Sequence, residues 1–137
     1  MHPECFGEIA LALESSPPYV AHPEYILRTC TGRHYYEIYH VVLKWLQDHH
    51  SKFLVSAGGA THEKIKIACE LIAEEIGDKR FDQIALKFDN LKGIRVKADY
   101  HLNKSLTAGD LITMKSEKGR LFSLINEVIS NPKAGIA

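Results

Sequence analysis

Residues 81–102 read FDQIALKFDNLKGIRVKADYHL, and the spacing of their apolar positions decides the fold class. Phe81, Ile84, Phe88, Leu91, Arg95, Ala98 and Leu102 follow one another in steps of three and four. That repeat keeps side chains on one side of an α-helix, whereas a half-buried strand would alternate every second residue. The stripe has one awkward member. Arg95 stands where an apolar residue belongs, and Asp99, four positions on, lies beside it. Ionised groups on a buried face are costly unless they are paired or partly solvated. The pair is therefore either structural or in use.

Working outward, the same periodicity predicts helices along the whole chain. Residues 3–15 form a short amphipathic helix, closed by Ser15-Ser16-Pro17-Pro18. A long second helix starts near Pro23, a suitable first-turn residue, and runs to about His50. Tyr36, Tyr39, Leu43 and Leu46 make one apolar line on it, and Tyr35, Ile38, Val42 and Trp45 another. A helix apolar on two sides is central in a bundle or shared with a partner. SKFLVSAGGA, residues 51–60, reads as a loop. Thr61 then caps a third helix, with Ile65, Ala68 or Cys69, Ile72 and Ile76 inward, which Gly77 ends. The opening stretch belongs to a fourth helix over 79–104. Thr107 with Asp110 is an approximate capping box for a fifth, which uses Leu111, Met114, Leu121, Ile125 and Val128 and stops before Pro132. No segment alternates convincingly, so the expectation is all-α: an antiparallel up-and-down bundle of about five helices, one domain over 1–137 with 132–137 a disordered tail.

Composition narrows the function classes. A chain of 137 residues, 45% apolar and 25% charged, with no net charge, is an ordinary globular domain whose overall field draws in neither nucleic acid nor membrane. Locally the balance differs. Between 92 and 104, Lys92, Arg95, Lys97 and Lys104 face only Asp99, a surplus of three positive charges that a dimer would double. Cys5, Cys30 and Cys69 form no C-x-x-C pair, so neither a zinc site nor a disulfide framework is expected, in keeping with a reducing cytoplasm. No signal peptide and no stretch of transmembrane length is read, and no cofactor is called for.

Two clusters carry chemistry. In the first, Arg95, Asp99, Tyr100 and His101, the plain reading is an ion pair beside a solvated histidine. The sharper reading uses the arginine as a fixed cation for phosphate and the histidine as proton acceptor or donor, a combination suited to metal-free RNA cleavage. Residues six apart are separated by roughly 240° around a helix, so Arg95 and His101 converge only if the helix ends near His101 or if a second copy completes the site. In the second cluster, Arg28, Arg33 and His34 stand among tyrosines, Tyr36 included, as a phosphate or base platform, or else as core and helix edge.

Taken together, RHYYEIYHVVLKWL at 33–46 and RVKADYHL at 95–102 resemble small prokaryotic HEPN-domain proteins: an arginine, YY in a long helix, then R-x-x-A-D-Y far downstream. THEKI at 61–65 is similar to the start of that family's middle helix, and PECFGEIALAL at 3–13 also falls into place. The resemblance implies a helical bundle that dimerises through its long helices, and a metal-independent RNase with an R-x(4–6)-H motif. Arg95 would orient the scissile phosphate, His101 would act as acid or base, and Asp99 and Tyr100 would position them. Arg33, Tyr36, Lys92, Lys97 and Lys104 would bind RNA or nucleotide. Members of the family serve as toxins, in antiphage defence, or beside a nucleotidyltransferase antitoxin; others bind nucleotides or proteins without catalysis. The commonest catalytic form has a polar residue after the arginine and histidine five positions on. Here Val96 follows Arg95, and Tyr100 occupies the fifth position.

Overall fold

The computed structural model describes residues 1–133, and every regular element in them is an α-helix. α1 spans Glu4–Ser15, α2 Glu24–His49, α3 Ser51–Ala57, α4 Thr61–Ile76, α5 Arg80–Tyr100 and α6 Ala108–Ser130. The protein is all-α, with six helices among the described residues where about five were expected. The extra one is α3, read from sequence as loop. At His50 the backbone leaves the helical region (φ −140°), and SKFLVSA then forms two turns that bury Leu54 and pack on α4. One buried anchor in seven residues leaves no periodicity to read. Of the expected tail, Pro132 and Lys133 follow α6 as irregular chain, and residues 134–137 lie outside the described residues.

Helix ends follow local chemistry. Gly77 takes the left-handed conformation that closes α4, φ 75°, and its N–H donates to the Ala73 carbonyl. Thr61 is the first helical residue rather than the cap of α4; Ala60 holds that place without a side-chain hydrogen bond. At α6 the capping box is complete: the Asp110 N–H donates to Thr107 Oγ1 at 3.1 Å and the Thr107 N–H to Asp110 Oδ2 at 2.9 Å. Asp78, which with Glu74 and Glu75 reads from the sequence alone most simply as a solvated acidic face, is instead 1% exposed. It accepts the Arg80 N–H at 3.0 Å and the Arg80 guanidinium at 2.8–3.1 Å, capping α5. α5 stops at Tyr100, short of the expected end near Lys104. The apolar stripe is accordingly buried as far as Ala98, while Leu102, expected on it, is 74% exposed.

The described residues group into two compact units, each assembled from separate stretches of chain. The first takes residues 1–40 and 90–118. Tyr35, Ile38, Leu91 and Met114 are buried there, and Ala10, Cys30 and Leu111 form a smaller cluster with Leu13, Ile26 and Leu27 against it. The second takes 41–89 and the described residues from 119 onward. In it the Trp45 ring stacks on Phe81 with centroids 5.7 Å apart, and His50 meets both edge-on. Cys30 and Cys69 are buried free thiols, and burial pushes Cys69 up to about 12, so neither is poised as a nucleophile.

Candidate functional site

In the first unit, Arg95 projects from α5 into a ring of partners that fix its guanidinium. Its Nε donates to Asp99 Oδ2 at 2.8 Å, one turn further along the same helix. Its Nη2 donates to the Tyr36 hydroxyl at 2.7 Å and reaches the Tyr100 hydroxyl at 3.4 Å. The rings of Tyr35, Tyr36 and Tyr100 stand 5.8, 5.2 and 5.1 Å from its guanidinium carbon. Burial works against this cation, which is only 9% exposed, but the surrounding Tyr36, Asp99 and Tyr100 outweigh it and hold the pKa above the ordinary guanidinium value. Nη1 donates no hydrogen bond among the described residues.

Arg33, exposed on α2, extends the cluster. Its guanidinium lies over Tyr36 at 5.6 Å and over Phe6 of α1 at 6.0 Å, and Phe6 in turn stacks on His40 at 5.4 Å. Beside it, a surface cleft of about 310 Å³ is lined by Tyr25, Arg28, Thr29, Gly32, Arg33 and Tyr36 from α2 and by Ala98, Asp99 and Leu102 opposite. Arg95 does not line it; it sits behind Asp99 and Tyr36 and holds both.

Other residues singled out from sequence lie elsewhere or serve structure. His101 is the first residue past α5; its N–H donates to the Lys97 carbonyl at 3.2 Å, and its exposed imidazole joins none of the contacts around Arg95. Tyr100 is the residue that meets Arg95. Lys97 donates to Asp110 Oδ2 at 3.0 Å, which spends its charge on the α6 cap. With Arg95 paired as well, the expected surplus of positive charge on this segment shrinks. Lys92 is half-buried and Lys104 exposed.

Arg28 looked like a phosphate ligand and is a clamp. Nη1 donates to the carbonyls of Lys97 and Ala98 at 2.9 Å, Nη2 to those of His101 and Lys104, and Nε to Glu24 Oε2 at 3.1 Å. Four of its five donors are used on the open carbonyl end of α5 and the loop after it and the fifth on Glu24, whose Oε1 takes the Leu106 N–H at 3.1 Å. His34 is fully buried. Its Nδ1 lies 2.8 Å from Lys118 Nζ, which also donates to Glu37 Oε1 at 2.7 Å, and its Nε2 has no partner. Burial and the neighbouring Lys118 bring its pKa down to about 4, so the ring is neutral and is no cation for phosphate.

Sequence reasoning missed Gly32. A Cβ there would lie 3.0 Å from Asp99 Oδ1, so the missing side chain admits the carboxylate against α2. The only signal is a glycine inside a strong helical pattern. Among the described residues no group of three or more His, Cys, Asp or Glu side chains converges as for a metal, and no helix is long and apolar enough to cross a membrane. No family model, curated protein or solved structure matches the chain.

Proposed function

We propose that the α2–α5 face of the first unit binds the phosphate backbone of RNA, and that the protein is a HEPN-type metal-independent ribonuclease acting as a homodimer. One observation supports it above the rest: a buried arginine is held rigid by a carboxylate and two tyrosine hydroxyls, beside a second, exposed arginine on the Tyr36 ring. Arginine presents a rigid fork to phosphate, and pre-oriented cations stabilise the charge that builds on phosphoryl oxygens during transfer. In the reaction, His101 takes the proton of a ribose 2′-hydroxyl as its oxygen attacks the adjacent phosphorus. The P–O5′ bond breaks, the leaving oxygen takes up a proton, and the products end in a 2′,3′-cyclic phosphate and a 5′-hydroxyl. Within one chain His101 stands outside the Arg95 cluster, so the site draws His101 from one copy and Arg95 from the other.

Complementation tests this. Arg95→Lys and His101→Ala proteins should each be inactive on single-stranded RNA in chelator. Mixed after co-refolding, they should regain cleavage, because one site of each mixed dimer keeps both groups. Inactivity of the wild-type protein, or dead variants that stay dead on mixing, refutes the composite site. A second reading, a nucleotide- or protein-binding module without catalysis that pairs with a nucleotidyltransferase, is favoured by the position of Tyr100 at Arg95 and of His101 away from it. Under that reading wild-type protein binds RNA or nucleotide and leaves RNA whole.

A further inference from the structure

We infer that the cleft beside Arg33 is a ribonucleotide subsite, in which Asp99 reads the sugar hydroxyls and Tyr25 carries the base. The inference rests on the RNA-binding reading above and adds a choice of RNA over DNA. Tyr25, Thr29, Gly32, Arg33 and Tyr36 recur at helical spacing on one face of α2, with Ala98, Asp99 and Leu102 opposite. From Tyr25 to Tyr36 the face runs about 16 Å at the helical rise. Its polar features are unevenly placed. Arg33 stands at the Tyr36 end, the carboxylate of Asp99 sits over Gly32 in the middle, and Tyr25, 53% exposed, stands at the far end with His22 against its ring at 5.1 Å.

Each of these groups suits one part of a nucleotide. Arg33 is a cation for phosphate. Asp99 spends Oδ2 on Arg95, while Oδ1 accepts no hydrogen bond among the described residues and faces the cleft wall left open by Gly32. A carboxylate oxygen beside a phosphate subsite repels the phosphate itself, and it suits a neutral donor; the ribose hydroxyl next to that phosphate is one. Deoxyribose lacks the 2′ donor, so the same geometry discriminates against DNA. The exposed Tyr25 ring offers a stacking surface that is indifferent to sugar. Thr29, also on the cleft wall, donates its hydroxyl proton to the Tyr25 carbonyl at 2.9 Å, which leaves the oxygen as an acceptor.

The test compares affinities for one short single-stranded RNA and the DNA of the same sequence. Wild-type protein should prefer the RNA by about tenfold, the worth of one charge-assisted hydrogen bond. Gly32→Ala, which suits a helix and crowds Asp99 Oδ1, should bring that ratio toward one, and Asp99→Ala should do the same. Tyr25→Ala should weaken both ligands by about tenfold and leave the ratio unchanged. Equal binding of RNA and DNA by the wild type, or a ratio that neither Gly32→Ala nor Asp99→Ala moves, overturns the subsite while the RNA-binding reading stands. Absence of RNA binding by the wild type overturns both.

Discussion

Arg28, Arg33 and Arg95 meet three different fates within one unit. Arg95 announces itself in the sequence because it interrupts an apolar stripe, and the structure surrounds it with hydrogen-bond partners and rings. Arg28 gives no such sign. Its role depends on where α5 ends, about 70 positions away, and no local pattern encodes that contact. The Glu24–Arg28 ion pair, at a spacing of four, is the local part of that role and was not read from the sequence. Arg28→Ala should therefore cost about 3 kcal/mol in urea unfolding, since it strips partners from several carbonyls and from Glu24. Arg28→Lys should rescue little of this, because an ammonium cannot reach both sides of the fork. Arg33→Ala and His101→Ala, at exposed positions, should each change stability by less than about 0.5 kcal/mol. A stability loss at Arg33 comparable to that at Arg28 would assign it to structure.

At the scale of elements, legibility tracks the range of the interactions. The α6 start was readable because Thr107 and Asp110 are three residues apart and bond each other's N–H groups directly. The α5 end was misjudged because backbone hydrogen bonding gives way there to the Arg28 clamp, and Leu102 fell off the stripe with it. α3 was missed because its seven residues have one buried anchor. Thr107→Ala should cost about 1 kcal/mol, as measured by thermal unfolding. The carboxylates add a pH dependence. The Arg80 side chain holds Asp78 below the ordinary carboxyl value of 3.8, and the Thr107 N–H does the same for Asp110. Each pair's stabilisation is whole above that value and fades as pH falls through the lower folded value. Asp78→Asn should blunt the acid-induced fall in stability; an unchanged acid limb would mean that the Asp78 cap adds nothing.

On the scale of the whole molecule, the His34 ring is buried with its Nε2 unpartnered among the described residues, and this too sets the pH response. His34 is held neutral near 4 in the folded chain but returns to about 6.5 when unfolded. Between those values the unfolded chain binds the extra proton, so stability should drop as pH falls from about 6.5 to 4. Burial lowers His50 in the same direction, so His34→Gln should flatten the slope in part. The all-helical class was legible throughout, because a three-four repeat survives without knowledge of partners; the candidate site was legible in its arginine and ADY element but not in Gly32 or in the cleft, which exist only once two helices meet. The most direct measurement of the central claim is the affinity of a single-stranded RNA for wild-type and Arg33→Ala protein across a salt series. The proposed RNA-binding role of this face predicts salt-dependent binding, with Arg33→Ala weaker and its log-log salt slope reduced by about 0.7. Equal affinities and equal slopes for the two proteins, or no binding at low salt, would contradict it.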